Sequence, residues 1–229
     1  MTAFDVGYRE IVDGEEVSVL RLHFCPTDYF TSLVTDFNSG NPIRDRYAQM
    51  VDIYNSPVPE FATIVGVNIG LITNDGYYIV GERSGRVAIG AYQLTCSVNE
   101  NMLRPTDAGK DGAPDPFRTA VRGAREELGI ELEPTQITFT HFAIEPKLCE
   151  YSLYGWAHIR QTRKEIEQSR SIDAKDSWES MRLIFIPCTP HDIAKFVIEN
   201  REVANIWACA HSNEPILIRL LEDRNKQGF

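Results

Sequence analysis

The stretch from Arg118 to Leu132, RTAVRGAREELGIEL, reads as a helix that ends in two adjacent carboxylates and a glycine. Upstream, Asp115 followed by Pro116 supplies an N-cap and a first-turn proline. Phe117, Ala120, Ala124 and Leu128 then form an apolar stripe, and Gly129 takes the C-cap position. The spacing predicts a helix over 115–128. Arg122 and Glu126 lie four apart on one face, with Gly123 and Glu127 on the neighbouring row. Both acids fall in the last turn, where the helix dipole disfavours negative charge. That placement makes chemical sense if a hard cation such as Mg²⁺ lies against them. Its bland counterpart is a solvated helix end, with Arg122–Glu126 a surface ion pair worth a few tenths of a kcal/mol.

Working outward, ATIVGVNIGLIT (62–73) reads as a long buried strand, NDG (74–76) as a hairpin turn and YYIVGER (77–83) as the returning strand. AYQLTCSV (91–98) is a third, weaker strand, and RPTDAGKDGAPDP (104–116) is a polar loop rich in glycine and proline. After the helix, ITFTHFAI (137–144), YSLYGWAHI (151–159) and MRLIFIP (181–187) read as strands. HDIAKFVIEN (191–200) and EPILIRLLEDR (214–224) read as amphipathic helices. Residues 1–60 form an N-terminal extension with strand-like EEVSVLRLHF and helix-like TDYFTSLVTDF, and the break NSPVPEF (55–61) opens a main domain over 61–229. These elements give a mixed sheet with one helix after the third strand and others packed at the end.

The order of elements, together with REELGI at the end of the helix, resembles the Nudix hydrolase superfamily. That family's box runs G-x5-E-x7-R-E-U-x-E-E-x-G-U, where U is apolar. Arg122, Ala124, Glu126, Glu127, Gly129 and Ile130 match its second half, and YQLTCSVNE (92–100) is similar to the approach W-x-x-P-G-G-x-x-E. The resemblance spans about residues 62–188. Gly123 stands where the family has a metal-binding glutamate, Thr95-Cys96-Ser97 replaces Pro-Gly-Gly, and the loop 104–116 interrupts the first half of the box. QLTCSVNE is also similar to the catalytic segment of isopentenyl diphosphate isomerases. There Ser97 occupies the catalytic-cysteine place and Asn99 the histidine place, which disfavours that activity.

The Nudix resemblance implies an α/β fold, an α/β/α sandwich with a mixed sheet. It implies metal-dependent hydrolysis of a nucleoside diphosphate linked to another moiety, such as a nucleotide sugar or an ADP-ribose-like compound. Mg²⁺ or Mn²⁺ would be held by Glu126, Glu127 and Glu100, with Glu126, Glu127 and Arg122 forming the catalytic group. Arg83, Arg86 and Tyr92 would meet the substrate, the arginines offering a planar donor fork to phosphate. A glutamate restored at Gly123 is expected to tighten Mg²⁺ binding. The alternative is a Nudix-like module, a sensor or interaction domain, that binds a nucleotide without turnover. The missing glutamate favours it, while retention of Arg122, Glu126 and Glu127 together favours the enzyme, which is the preferred reading. Glu145, Glu150 and Glu179 follow the helix and read individually as solvated loop acids, and Tyr92, Trp156 and Trp178 as packing aromatics.

Composition sets outer bounds. The 229 residues can bury a substantial core. A net charge of −10 argues against a general nucleic-acid-binding surface, yet permits phosphorylated small molecules where divalent cations supply positive charge. No apolar run approaches the roughly 20 residues that span a bilayer, and the acidic start MTAFDVGYREIVDGEE has no secretory signal pattern. No membrane association is expected, and a homodimer is compatible with the family resemblance. Five scattered cysteines (Cys25, Cys96, Cys149, Cys188 and Cys209) without a CxxC pair suggest a reducing, cytoplasmic setting. The five histidines show no metal-ligand spacing.

Overall fold

The computed structural model describes residues 3–28, 30–31, 64–87, 91–145, 150–201, 216–218 and 222. Strands β1 (Ala3–Val12) and β2 (Glu15–His23) pair antiparallel in a separate two-stranded sheet. The main sheet holds β3 (Val65–Ile72), β4 (Tyr77–Arg83), β5 (Leu94–Thr95), β6 (Val98–Asn101), β7 (Ile137–Glu145), β8 (Glu150–His158) and β9 (Ser180–Pro187). Helices α1 (Pro116–Leu128), α2 (Arg163–Asp173) and α3 (Pro190–Arg201) flank it. This is the α/β sandwich with a mixed sheet expected from the sequence.

Strand β3 is buried along its whole length because it has neighbours on both edges and a layer on both faces. It pairs antiparallel with β6 and parallel with β8, and it joins β4 only near their turn, at Ile72 and Tyr78. Beyond that point β4 runs with β5 and β9 instead. The period-two alternation of strands separates two cores. Val67, Ile69, Leu71 and Ile79 pack against Ala120, Ala124 and Leu128 of α1 and Ile166 of α2. Tyr78, Val80, Tyr154 and Ile186 pack on the opposite face against Ile193 of α3 and Ile216 and Leu217. The hairpin signal at 74–76 is realised by Gly76, whose φ of 82° is cheap only for glycine.

Three sequence expectations change. The strand expected over 91–98 is two short pieces, β5 and β6, because Cys96 and Ser97 bury their side chains between them. The Ser97 hydroxyl accepts from Leu71 N–H at 2.8 Å and donates to the Ile79 carbonyl at 2.6 Å, which ties β6 to the β3–β4 hairpin. The N-terminal extension contains β1 as well as the expected β2, and the polar segment 160–175 contributes α2, opened by a Thr162–Glu165 capping box. The helix read from TDYFTSLVTDF and the break NSPVPEF lie almost wholly outside the described residues, as does most of the helix read at 214–224. Cys25 is exposed, and Cys96 and Cys188 are buried. Among the described residues, no helix is long and apolar enough to cross a membrane.

Candidate functional site

Helix α1 is built as its sequence indicates. Asp115 Oδ1 accepts from the N–H groups of Phe117 at 2.9 Å and Arg118 at 3.4 Å. At the other end Gly129 adopts φ 68°, and Gly129 and Ile130 N–H close onto the carbonyls of Arg125 and Ala124. Ala120, Ala124 and Leu128 are buried, while Phe117 is 37% exposed and meets Phe139 edge-on at 4.9 Å. The stripe therefore faces the sheet from its second residue onward. This fixes the rotation of α1 and turns Arg122, Glu126 and Glu127 toward β6 and the turn before β9.

Arg122 is the hub. It is only 6% exposed, which excludes the surface-pair reading. Its Nε donates to Asp107 Oδ1 at 3.0 Å and its Nη2 to Asp107 Oδ2 at 3.1 Å, a two-pronged pair. Nη2 also reaches the Asn101 carbonyl at 2.8 Å, and Nη1 lies 3.0 Å from both Glu126 Oε2 and Glu100 Oε2. Burial works against the charge on Arg122, but the Asp107 hydrogen bonds and the charges of Glu100 and Glu126 outweigh it and hold the guanidinium protonated. Asp107 is itself fully buried and accepts further bonds from Leu103 N–H at 2.8 Å and the Thr119 hydroxyl at 3.1 Å. The polar loop thus carries the partner that fixes the hub.

Glu127 is 8% exposed, and its Oε1 accepts from Asn99 N–H at 3.0 Å. Burial pushes its carboxyl well above the usual carboxylate range; repulsion from Glu100 and Glu179 adds to this, and Asn99 and Arg83 oppose it. Glu100, on β6, is pushed up to about 7 by burial first, with Glu179 and Glu126 adding to the effect against Arg122. Glu179 is raised in the same way, burial leading and Arg83 opposing. It sits on the 3-10 turn Ser177–Glu179. Asp176 N–H anchors that turn to the Glu126 carbonyl at 2.7 Å, and Arg170 Nη2 donates to the carbonyls of Ser177 and Ser180.

The structure therefore gathers Arg122, Glu100, Glu126 and Glu127, with Arg83 of β4 in charge range of Glu127 and Glu179. It does not bring Arg86 and Tyr92 to them. Arg86 is exposed on the turn after β4, its N–H bonded to the Ser84 hydroxyl. Tyr92 is 68% exposed at φ 64°, and its hydroxyl fills the space over Gly85.

The donor chemistry fits a hard divalent cation: the available side chains are oxygen-only, and the carboxylates of Glu127, Glu100 and Glu179 are close enough to resist one another's ionisation. Among the described residues no three potential ligands already stand around one point. The physical reason is visible at Arg122 Nη1, onto which both Glu100 and Glu126 are turned.

The expectation that Gly123→Glu would tighten metal binding does not survive the packing. A Cβ at Gly123 would lie 2.5 Å from Val98 Cγ1 and 2.6 Å from Glu100 Cγ, so the position has no room for a side chain.

Glu100 also lines a cavity of about 790 Å³ between segment 22–28 and the loop 101–114. His23, Thr27 and Arg104 contribute polar groups to a wall that Phe24 and Met102 make partly apolar.

The solved structures similar to this chain include MutT and Nudix proteins. A MutT/nudix family protein from Enterococcus faecalis is 13% identical, with 72% of this chain and 57% of that one covered at a TM-score of 0.39. A NUDIX-family hydrolase from Clostridium perfringens is 12% identical, with 71% and 97% covered at 0.41. A bifunctional NMN adenylyltransferase/ADP ribose pyrophosphatase from Francisella tularensis, complexed with AMP and a manganese ion, is 13% identical, with 84% and 50% covered at 0.44. No family model matches the sequence, and no curated protein matches it. These likenesses are remote, and the reading of the site rests on the chain's own residues.

Three residues of the site were not legible as such. Asp107 looked like one polar residue of a glycine- and proline-rich loop, and Arg170 lay in a segment with no element assigned. Glu179 read as a solvated loop acid, yet it is half-buried beside Glu127. Trp178, read as a packing aromatic, is 45% exposed on the same turn, with Nε1 donating to Asp176 at 3.2 Å. Asp107 lies 15 positions before Arg122 and not at the E-x7-R spacing of the box, so no spacing marked it.

Proposed function

We propose that the chain is a hydrolase acting on a nucleoside diphosphate linked to another moiety, with Mg²⁺ or Mn²⁺ held by Glu127, Glu126 and Glu100. The observation that carries this reading is the burial of Glu127 beside two further carboxylates, a costly arrangement that a divalent cation relieves. When bound, such an ion neutralises a diphosphate and lowers the pKa of a coordinated water.

The chain's own residues supply the rest. Asp107 locks Arg122, and Arg122 holds the carboxylates of Glu126 and Glu100 by Nη1 until a stronger positive charge competes for them. Asn99 N–H fixes Glu127 Oε1. Glu179, raised above the ordinary carboxylate range by burial, would be the group that takes a proton from water. Arg83 would meet a phosphate oxygen, and the exposed Trp178 ring offers a stacking surface for a base.

The test is turnover on a panel of nucleoside diphosphate sugars and ADP-ribose, read by phosphate release with a coupled phosphatase, with Mg²⁺, with Mn²⁺ and with chelator. Metal-dependent turnover on at least one substrate is the expected result. A protein silent across the panel but stabilised thermally by one of these nucleotides would instead be the non-catalytic binding module.

A further inference from the structure

The glycine in the middle of α1 is costly, since glycine in a helix interior is less favourable than alanine by about 1 kcal/mol. Its compensation lies across the interface. Val98 and Glu100 are two apart on β6 and point to the same face, toward α1; Val98 enters the core, and the Glu100 stem crosses the helix over residue 123. Both Glu100 Cγ and Val98 Cγ1 lie within 2.6 Å of where a Cβ would stand at 123, so any side chain there would displace the stem of Glu100. The same stem delivers Glu100 Oε2 to within 3.0 Å of Arg122 Nη1, the nitrogen that also holds Glu126. Arg122 keeps Asp107, Asn101 and Glu126 as partners without Glu100, so the arginine alone does not account for this carboxylate.

We infer that Gly123 and Glu100 form one unit: α1 gives up its side chain at 123 so that β6 can deliver a carboxylate to the same place, as a cation ligand beside Glu126 and Glu127. This rests on the proposed metal-dependent reading and adds the origin of the third ligand. It implies that a carboxylate can be moved from strand to helix if the space is cleared at the same time.

The experiment measures Mn²⁺ affinity by the loss of the free-ion electron paramagnetic resonance signal, with melting temperature alongside. Glu100→Gln keeps the stem and can still accept from Arg122, so the protein should stay folded and bind Mn²⁺ at least about tenfold more weakly. The transfer variant Val98→Ala/Glu100→Ala/Gly123→Glu should bind Mn²⁺ more tightly than Val98→Ala/Glu100→Ala. Wild-type binding of Mn²⁺ with Glu100→Gln unchanged would overturn the inference and leave the metal reading standing. Wild type that binds no Mn²⁺ would overturn the metal reading itself. A folded transfer variant no better than its background would refute the shared position, and if that variant does not fold, the Glu100→Gln comparison decides alone.

Discussion

At the scale of single residues, the account turns on which charge is matched inside the protein and which is not. Arg122 and Asp107 are matched: a fully buried carboxylate faces a nearly buried guanidinium through two bonds. Removing one partner of such a pair leaves the other uncompensated. Asp107→Ala should therefore cost about 3–5 kcal/mol in chemical denaturation. A cost under about 1 kcal/mol would show that the loop is not the anchor of the hub. Glu100 is the opposite case. Its carboxyl is raised in the folded protein from the ordinary value of 4.5 to about 7, so between those values the folded state binds more protons than the unfolded state. The stability it contributes is complete below about pH 4.5 and is lost as pH rises through about 7. Glu127, also raised, acts in the same direction. In chelator, the melting temperature should fall across that window, and the fall should be shallower in Glu100→Gln. Parallel profiles for the two proteins would contradict the assignment.

At the scale of elements, legibility followed local chemistry. Helix α1 was readable to its ends because caps are written in adjacent residues: Asp115 bonds two N–H groups, and Gly129 takes the left-handed conformation. Asp115→Ala should lower stability by about 0.5–2 kcal/mol, measured by urea melts, without changing the slope of the transition. The β3–β4 hairpin was readable for the same reason. What was not legible depended on distant partners. The division of 91–101 into β5 and β6 is set by Ser97 bonding to Leu71 and Ile79, residues 26 and 18 positions away. Helix α2 lacks a long apolar stripe and buries chiefly Ile166. Its functional contribution, Arg170 gripping the turn that carries Glu179, is a contact to backbone carbonyls that no sequence pattern announces. In the site, Arg122, Glu126 and Glu127 were evident from spacing, whereas Asp107 and Glu179 needed the fold. The reading of Gly123 as a ligand simply lost was wrong about the space available, since Glu100 and Val98 already fill it.

At the scale of the whole molecule, a mixed sheet with helices on both faces carries a cluster of carboxylates around the last turns of α1, in a chain of net charge −10. The stability of that arrangement and its chemistry should pull in opposite directions at Glu127. The side chain is packed, and its ionised form is disfavoured by burial and by neighbouring acids. Glu127→Gln preserves the shape and can still accept from Asn99 N–H, but it removes the negative charge that a cation requires. The most direct measurement of the central claim is therefore a paired one on wild type and Glu127→Gln: melting temperature in chelator at neutral pH, and Mg²⁺- or Mn²⁺-dependent turnover of the best substrate from the panel. The account predicts a melting temperature equal to or above that of wild type, together with a loss of turnover of about 10²-fold or more. Turnover retained within a few-fold by a folded Glu127→Gln protein would contradict it.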